Sequence, residues 1–211
     1  MADPDASKRG MDSTRVTAFT DGLFVVAATL LVVSIDIPAI PDAQVSKVLP
    51  HALDDILPQL LSYFISFAVI VLFWFRHHAL FGRVHTHDAR FVALNMVFLA
   101  FIAVLPFPTE LVGKYGSQPI STIVYSINVL VLSGLLTALF VYAERHQLVH
   151  VDPEAFRHRL RALSVFIVFG ASIPIALIFG ARAAVYTWLT MFIVPRIVLR
   201  LVGGGRSSPA G

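Results

Sequence analysis

Residues 15–35 read RVTAFTDGLFVVAATLLVVSI, a short polar segment followed by an uninterrupted apolar one. The apolar part, Gly22–Ile35, contains 14 residues without Asp, Glu, Lys, Arg or His, and it is bounded by Asp21 and Asp36. A helix that crosses a bilayer needs about 20 mainly apolar residues. This segment can therefore span a membrane only if both carboxylates lie close to the lipid headgroups.

Further apolar segments without charge follow along the chain: Ile56–Phe75, Phe91–Thr109, Tyr115–Ala143, Ala162–Ala181 and Ala183–Pro195. Of the 211 residues, 57% are hydrophobic and 14% are charged, whereas a soluble domain usually carries about 25% charged residues. We predict an all-α, polytopic membrane protein with six transmembrane helices and a single repeat. The predicted parts are a cytoplasmic N-terminal arm at 1–13, a six-helix channel domain at 14–202 and a disordered cytoplasmic tail at 203–211.

Lys and Arg divide unevenly between the two sides of these six spans. One side, which includes both termini, holds 13 of them, and the other holds Lys47, Lys114 and Arg182. Because positively charged residues in short loops mark the cytoplasmic side, both termini are predicted to be cytoplasmic. Asp36 then lies at the outer mouth, in an acidic connection that could gather cations or simply be solvated.

The composition also excludes several kinds of site. The chain has no cysteine, which rules out disulfides, thiolate metal sites and cysteine nucleophiles. Its net charge of +3 is not accompanied by a basic, aromatic patch, so nucleic acid is not an expected partner. We expect no cofactor and no metal site.

Two other functional classes stay open on the residues alone. His77, His78, His85 and His87 crowd one connection, as they would in a membrane metalloenzyme, although such an enzyme needs more ligands at helical spacing. Pro174 lies inside the fifth span and could break it, as helices of secondary transporters are broken, but no matching repeat is found elsewhere.

One face of the first span is apolar except for a single hydroxyl. At helical spacing it contains Gly22, Val26, Thr29, Leu30, Val33 and Ile37. Thr29 could bond to its own helix backbone as structural filler. In a ring of such helices it could instead supply a layer of oxygens between hydrophobic constrictions. Periodicity does not choose between these two interpretations.

The residues before that face carry a family resemblance. Arg15, Phe19, Thr20 and Asp21 fit the pattern RxxxF(S/T)D, which resembles the signature of the first helix in the transmembrane protein 175 family, the lysosomal potassium channels and their prokaryotic relatives. Trp74, His77 and His78 look like the family's second helix and its cytoplasmic end, and Asn95 looks like its third helix. The resemblance covers roughly the first half of the chain.

The resemblance implies a potassium-selective cation channel rather than an enzyme. It implies a homotetramer in a prokaryotic plasma (inner) membrane, with K⁺ and other monovalent cations passing along the first helices. By position it implies a constriction at Val26, further narrowings at Leu30 and Val33, and a selectivity layer at Thr29.

The same reading assigns the polar residues near the cytoplasmic boundary to anchoring of the pore helix. A carboxylate inside a membrane helix is costly unless it is paired, so we predict that Asp21 lies in a polar network. The motif and anchoring positions are Arg15, Phe19, Thr20, Asp21, Trp74, His77 and Asn95. The competing interpretation is that Asp21 binds permeating cations directly.

Overall fold

The computed structural model describes residues 13–36, 38–149 and 155–192, and these are helical almost throughout. The predicted tail at 203–211, and all but the last residue of the predicted arm at 1–13, lie outside the described residues. The α-helices are α1 (Ser13–Val33), α2 (Val45–Phe81), α3 (Ala89–Val104), α4 (Pro106–Tyr115), α5 (Pro119–Arg145), α6 (Ala155–Phe179) and α7 (Ala181–Leu189). Short 3-10 helices cover Asp42–Gln44 and Thr190–Phe192.

Four apolar helical segments are long enough to cross a membrane: Thr14–Val33, Asp42–Phe81, Ala89–Tyr115 and Pro119–Arg145. They contain the first four predicted spans apart from a few end residues, so the prediction of an all-α membrane protein is confirmed. The apolar part of α6, Ser164–Phe179, and the nine residues of α7 are shorter.

Local chemistry explains where these helices begin and end. Asp88 caps α3, because its Oδ1 accepts the N–H of Phe91 at 2.7 Å. Pro106 follows Leu105 directly and has no N–H to donate, so one apolar segment is divided into α3 and α4. Gly180 separates α6 from α7 at a φ of 87°, a conformation that favours glycine.

The helices enclose a core of aromatic and aliphatic side chains. α1 packs on α2 and α3, α5 packs on α3, α4 and α6, and α7 packs on α6. Phe73, Phe91 and Phe98 are wholly buried. Within this core, the hydroxyls of Thr109 and Ser66 share a 2.8 Å hydrogen bond, and Ser66 shares a 3.0 Å hydrogen bond with the hydroxyl of Tyr125. Hydrogen bonds therefore join α4, α2 and α5 inside the apolar layer, where water does not compete for them.

Candidate functional site

Helix α1 has one face inside the subunit and one face outside it. Phe24, Ala27 and Leu31, at a spacing of three and four residues, are buried against the other helices. Val26, Leu30 and Val33 lie on the opposite side and are 55%, 47% and 74% exposed. All three predicted constriction residues therefore point away from the core of their own subunit.

The exposed face of α1 is wider than the predicted stripe. It also includes Val25 and Val32, at 63% and 53% exposure, and an added Cβ at Gly22 would meet nothing within 4 Å. A water-soluble monomer rarely exposes apolar side chains along about three turns of one helix. In a membrane protein such a face meets lipid or a neighbouring subunit.

Thr29 is the hydroxyl-bearing residue near the middle of this face. Its side chain is exposed, and its Oγ1 donates to the carbonyl of Val26 at 2.9 Å. That bond uses the hydroxyl hydrogen and leaves the lone pairs of the oxygen available as acceptors. The hydroxyl of Thr29 can therefore donate to its own helix backbone and still offer its oxygen to an ion.

At its other end, α1 is fixed by a buried polar chain that passes through Asn95. Thr20 donates its hydroxyl hydrogen to the carbonyl of Val16 at 2.9 Å, so its oxygen can only accept the N–H of Asn95, 3.1 Å away. The amide oxygen of Asn95 then faces Nε2 of His77 at 2.8 Å. Because that oxygen has no hydrogen to give, Nε2 of His77 carries the proton. The chain links α1, α3 and α2.

Asp21 makes a second contact between α1 and α2. The indole Nε1 of Trp74 donates to Oδ1 of Asp21 at 3.0 Å, and the same indole stacks on His78 with ring centroids 5.3 Å apart. Of the predicted anchoring positions, five take part in these two contacts, whereas Phe19 is exposed. Arg15 is also exposed and has no polar contact with the described residues.

The ring of His77 is enclosed by aromatic rings that the motif does not predict. It stacks on Phe81 with centroids 4.0 Å apart and lies nearly parallel to Phe98, with centroids 5.5 Å apart. Phe24 of α1 approaches the same ring at 5.8 Å. The polar chain is therefore sealed by apolar surface, which strengthens its hydrogen bonds and makes their loss costly.

Beyond the last turn of α1, Asp36 has a partner that the sequence did not predict. Its Oδ2 lies 2.7 Å from Nζ of Lys114, which also contacts Oε1 of Glu110 at 2.7 Å. The backbone N–H of Asp36 donates to Oε1 of Gln59 at 2.9 Å. The carboxylate is thus ion-paired to α4, and its side chain is still 64% exposed.

The α2–α3 connection packs against the end of α5. It holds only His85 and His87, because His77 and His78 lie inside α2, so the four histidines do not share one connection. Val84 pairs with Val149 in an isolated β-bridge, and the hydroxyl of Tyr142 donates to Oδ2 of Asp88 at 2.7 Å. Burial alone would raise the pKa of Asp88, but the hydrogen bonds from Phe91 and Tyr142 outweigh it and lower that pKa. Burial lowers the pKa of His87.

The histidine-rich connection does not assemble a metal site in the part of the chain that the structure describes. No three His, Asp or Glu side chains converge there. His87 lies between the rings of Phe81 and Phe91, at 5.3 and 5.6 Å, rather than beside other ligands. Because of this packing, His87 is not placed to share a metal ion with the other three histidines.

A comparison with known families matches residues 15–106 to the family described as "Endosomal/lysosomal potassium channel TMEM175". A potassium channel of Streptomyces collinus is 33% identical over 138 residues, which cover 64% of this chain and 66% of that protein. A potassium channel of Chamaesiphon minutus is 28% identical over 191 residues, which cover 89% of this chain and 90% of that protein.

The fold has a close counterpart among solved structures. The crystal structure of a lysosomal potassium-selective channel TMEM175 homologue from Chamaesiphon minutus superposes with a TM-score of 0.65 at 27% identity. The superposition covers 85% of this chain and 98% of that one. The likeness thus extends past the matched N-terminal half into α5 and the helices after it.

Proposed function

Because this chain belongs to the TMEM175 family, we propose that it forms a potassium-selective channel whose ions pass along α1. The observation that carries the proposal is the outward face of α1, which is apolar apart from one hydroxyl oxygen with free lone pairs. Apolar rings can close a pore by expelling water, and oxygen rings can replace part of an ion's hydration shell. Conduction of this kind needs no cofactor.

The proposed assembly is a homotetramer around four α1 helices. An exposed apolar face on a helix whose other side is fixed to its own subunit supports a contact between copies. Native mass spectrometry is expected to find four copies of the 23.1 kDa chain in one particle. A monomer under conditions that preserve activity would contradict this assembly.

The proposed topology has six spans, with both termini in the cytoplasm of a prokaryotic plasma membrane. The division of Lys and Arg supports it, and the absence of cysteine makes it easy to test. Thr86→Cys and Ser117→Cys place exposed thiols on the α2–α3 and α4–α5 connections. A membrane-impermeant maleimide is expected to label only Ser117→Cys on intact cells and both variants after lysis.

Planar-bilayer recording under opposed K⁺ and Na⁺ gradients tests the function itself. We expect a reversal potential close to the K⁺ equilibrium value, at flux rates far above those of a transporter and without a coupling ion. A reversal potential near zero would remove the selectivity claim. Slow flux that requires a second ion would favour the transporter.

Thr29→Val tests the proposed oxygen layer. Valine has nearly the same shape but no oxygen, so we expect the permeability of K⁺ relative to Na⁺ to fall severalfold while the tetramer still assembles. Thr29→Ser keeps the oxygen and is expected to retain most of the selectivity. Bi-ionic reversal potentials of the two variants measure the effect, and equal values would contradict it.

A further inference from the structure

Asp36, three residues past the end of α1, is ion-paired to Lys114 of α4, and α4 packs closely on α2. We propose that the Asp36–Lys114 ion pair is a clamp that positions this end of the pore helix and biases the channel between its open and closed states. The inference rests on the proposed function, because only a channel has open and closed states. It gives a role in gating to residues that do not face the ion path.

Lys114 extends from a part of α4 that packs tightly against α2. A Cβ built on Gly113 would lie 2.9 Å from Oγ of Ser62 and 3.2 Å from Cα of Gln59, so α4 and α2 approach each other as closely as glycine allows. Gln59 also accepts the backbone N–H of Asp36. Lys114 follows Gly113 directly, so its ammonium group extends from a fixed point beside the end of α1.

The clamp acts close to Val33, which is more exposed than the other apolar side chains of α1. Val33, the last residue of α1, is 74% exposed, and Val32 is 53% exposed. Two charged or polar contacts, at 2.7 Å to Lys114 and 2.9 Å to Gln59, hold the chain three residues further on. A small change at this point displaces Val33, which is one of the proposed narrowings.

The strength of the clamp follows from its exposure. The side chains of Lys114 and Asp36 are 30% and 64% exposed, so water and salt weaken the pair. Exposed ion pairs contribute enough to shift an equilibrium by about two- to fivefold. A contact shifts the equilibrium between the open and closed states only when its strength differs between them. The Asp36–Lys114 pair meets this condition if it forms at only one of the two positions of α1.

A charge-reversal experiment tests the clamp by single-channel recording. We expect Asp36→Asn and Lys114→Gln to change the ratio of open to closed time in the same direction, each by about two- to fivefold. Combining the two changes is expected to add little. The swap Asp36→Lys with Lys114→Asp restores an ion pair and is expected to recover most of the wild-type ratio.

Glu110→Gln is the matched control. Like Asp36→Asn, it removes one negative charge that lies 2.7 Å from Nζ of Lys114. Glu110, however, lies on α4 itself and does not hold α1. We expect its open-to-closed ratio to equal that of the wild type. Gel filtration confirms that each variant is compared as an assembled protein.

The alternative role for Asp36, the gathering of cations, gives a different pattern. Asp36→Asn and Glu110→Gln would then both lower single-channel conductance at low K⁺, Lys114→Gln would raise it, and open times would not change. That pattern overturns the clamp while leaving the channel function intact. A wild-type protein that passes no potassium current overturns the proposed function and the clamp with it.

Discussion

Replacement of Asn95 by leucine is expected to abolish potassium current and to lower the free energy of unfolding by about 2–3 kcal/mol. Leucine has almost the same size and shape, so the packing around position 95 is preserved. What is lost is the acceptor for Nε2–H of His77 and the donor to Thr20, both in a fully buried site. The polar chain that joins α1 to α3 and α2 is broken. Only the Asp21–Trp74 hydrogen bond still links α1 to α2 at this end, so the pore helix loses its fixed position.

Ser126→Ala is the matched control for this prediction. Ser126 is also fully buried and shares a 2.7 Å hydrogen bond with Ser172, but the two lie on α5 and α6 and take no part in the Asn95 chain. We expect a loss of about 1 kcal/mol in stability with wild-type current per assembled channel. Thermal unfolding followed by gel filtration, together with bilayer recording, measures both variants. Wild-type current in Asn95→Leu would show that the pore helix needs no such anchor.

The sequence predicts the apolar parts of the helices well, because the thickness of the bilayer sets how many apolar residues a span needs. The first four charge-free segments fall within or very near apolar helices of the structure. It places the start of α2 poorly. That helix begins at Val45 and is about 55 Å long, because Lys47 and Asp54 interrupt a charge-free run without interrupting a helix. A search for charge-free segments locates the residues inside the membrane but misses the helical turns that extend beyond it.

Some contacts within the candidate site could be predicted from the sequence, and others could not. Topology brings Asp21 and Trp74 to one side of the membrane, so a contact between them could be predicted from the motif. The pairing of Asp36 with Lys114 could not, because it depends on how closely Gly113 lets α4 approach α2. A single glycine in a polar helix end carries no pattern that reveals such an approach.

Val26→Thr is expected to raise the potassium current of the resting channel by tenfold or more. Threonine keeps the shape of valine and replaces one methyl group by a hydroxyl, so the width of the proposed constriction does not change. The change makes each side chain less apolar by roughly 0.8 kcal/mol. Over the four subunits of the proposed tetramer, it favours the water-filled state of the constriction over the dry one by about 3 kcal/mol. Val26→Ala is also expected to raise the current, because it widens the same ring.

Val25→Thr makes the same chemical change at an equally exposed position one residue away, which is about 100° around the helix. We expect it to leave the resting current unchanged, because Val25 then faces a neighbouring helix or lipid rather than the ion path. Leak current from bilayers that contain equal amounts of each assembled variant measures the difference. If Val25→Thr alone raised the current, the ion path would follow the other edge of the exposed face, and Val32 would replace Val33 as the outer narrowing.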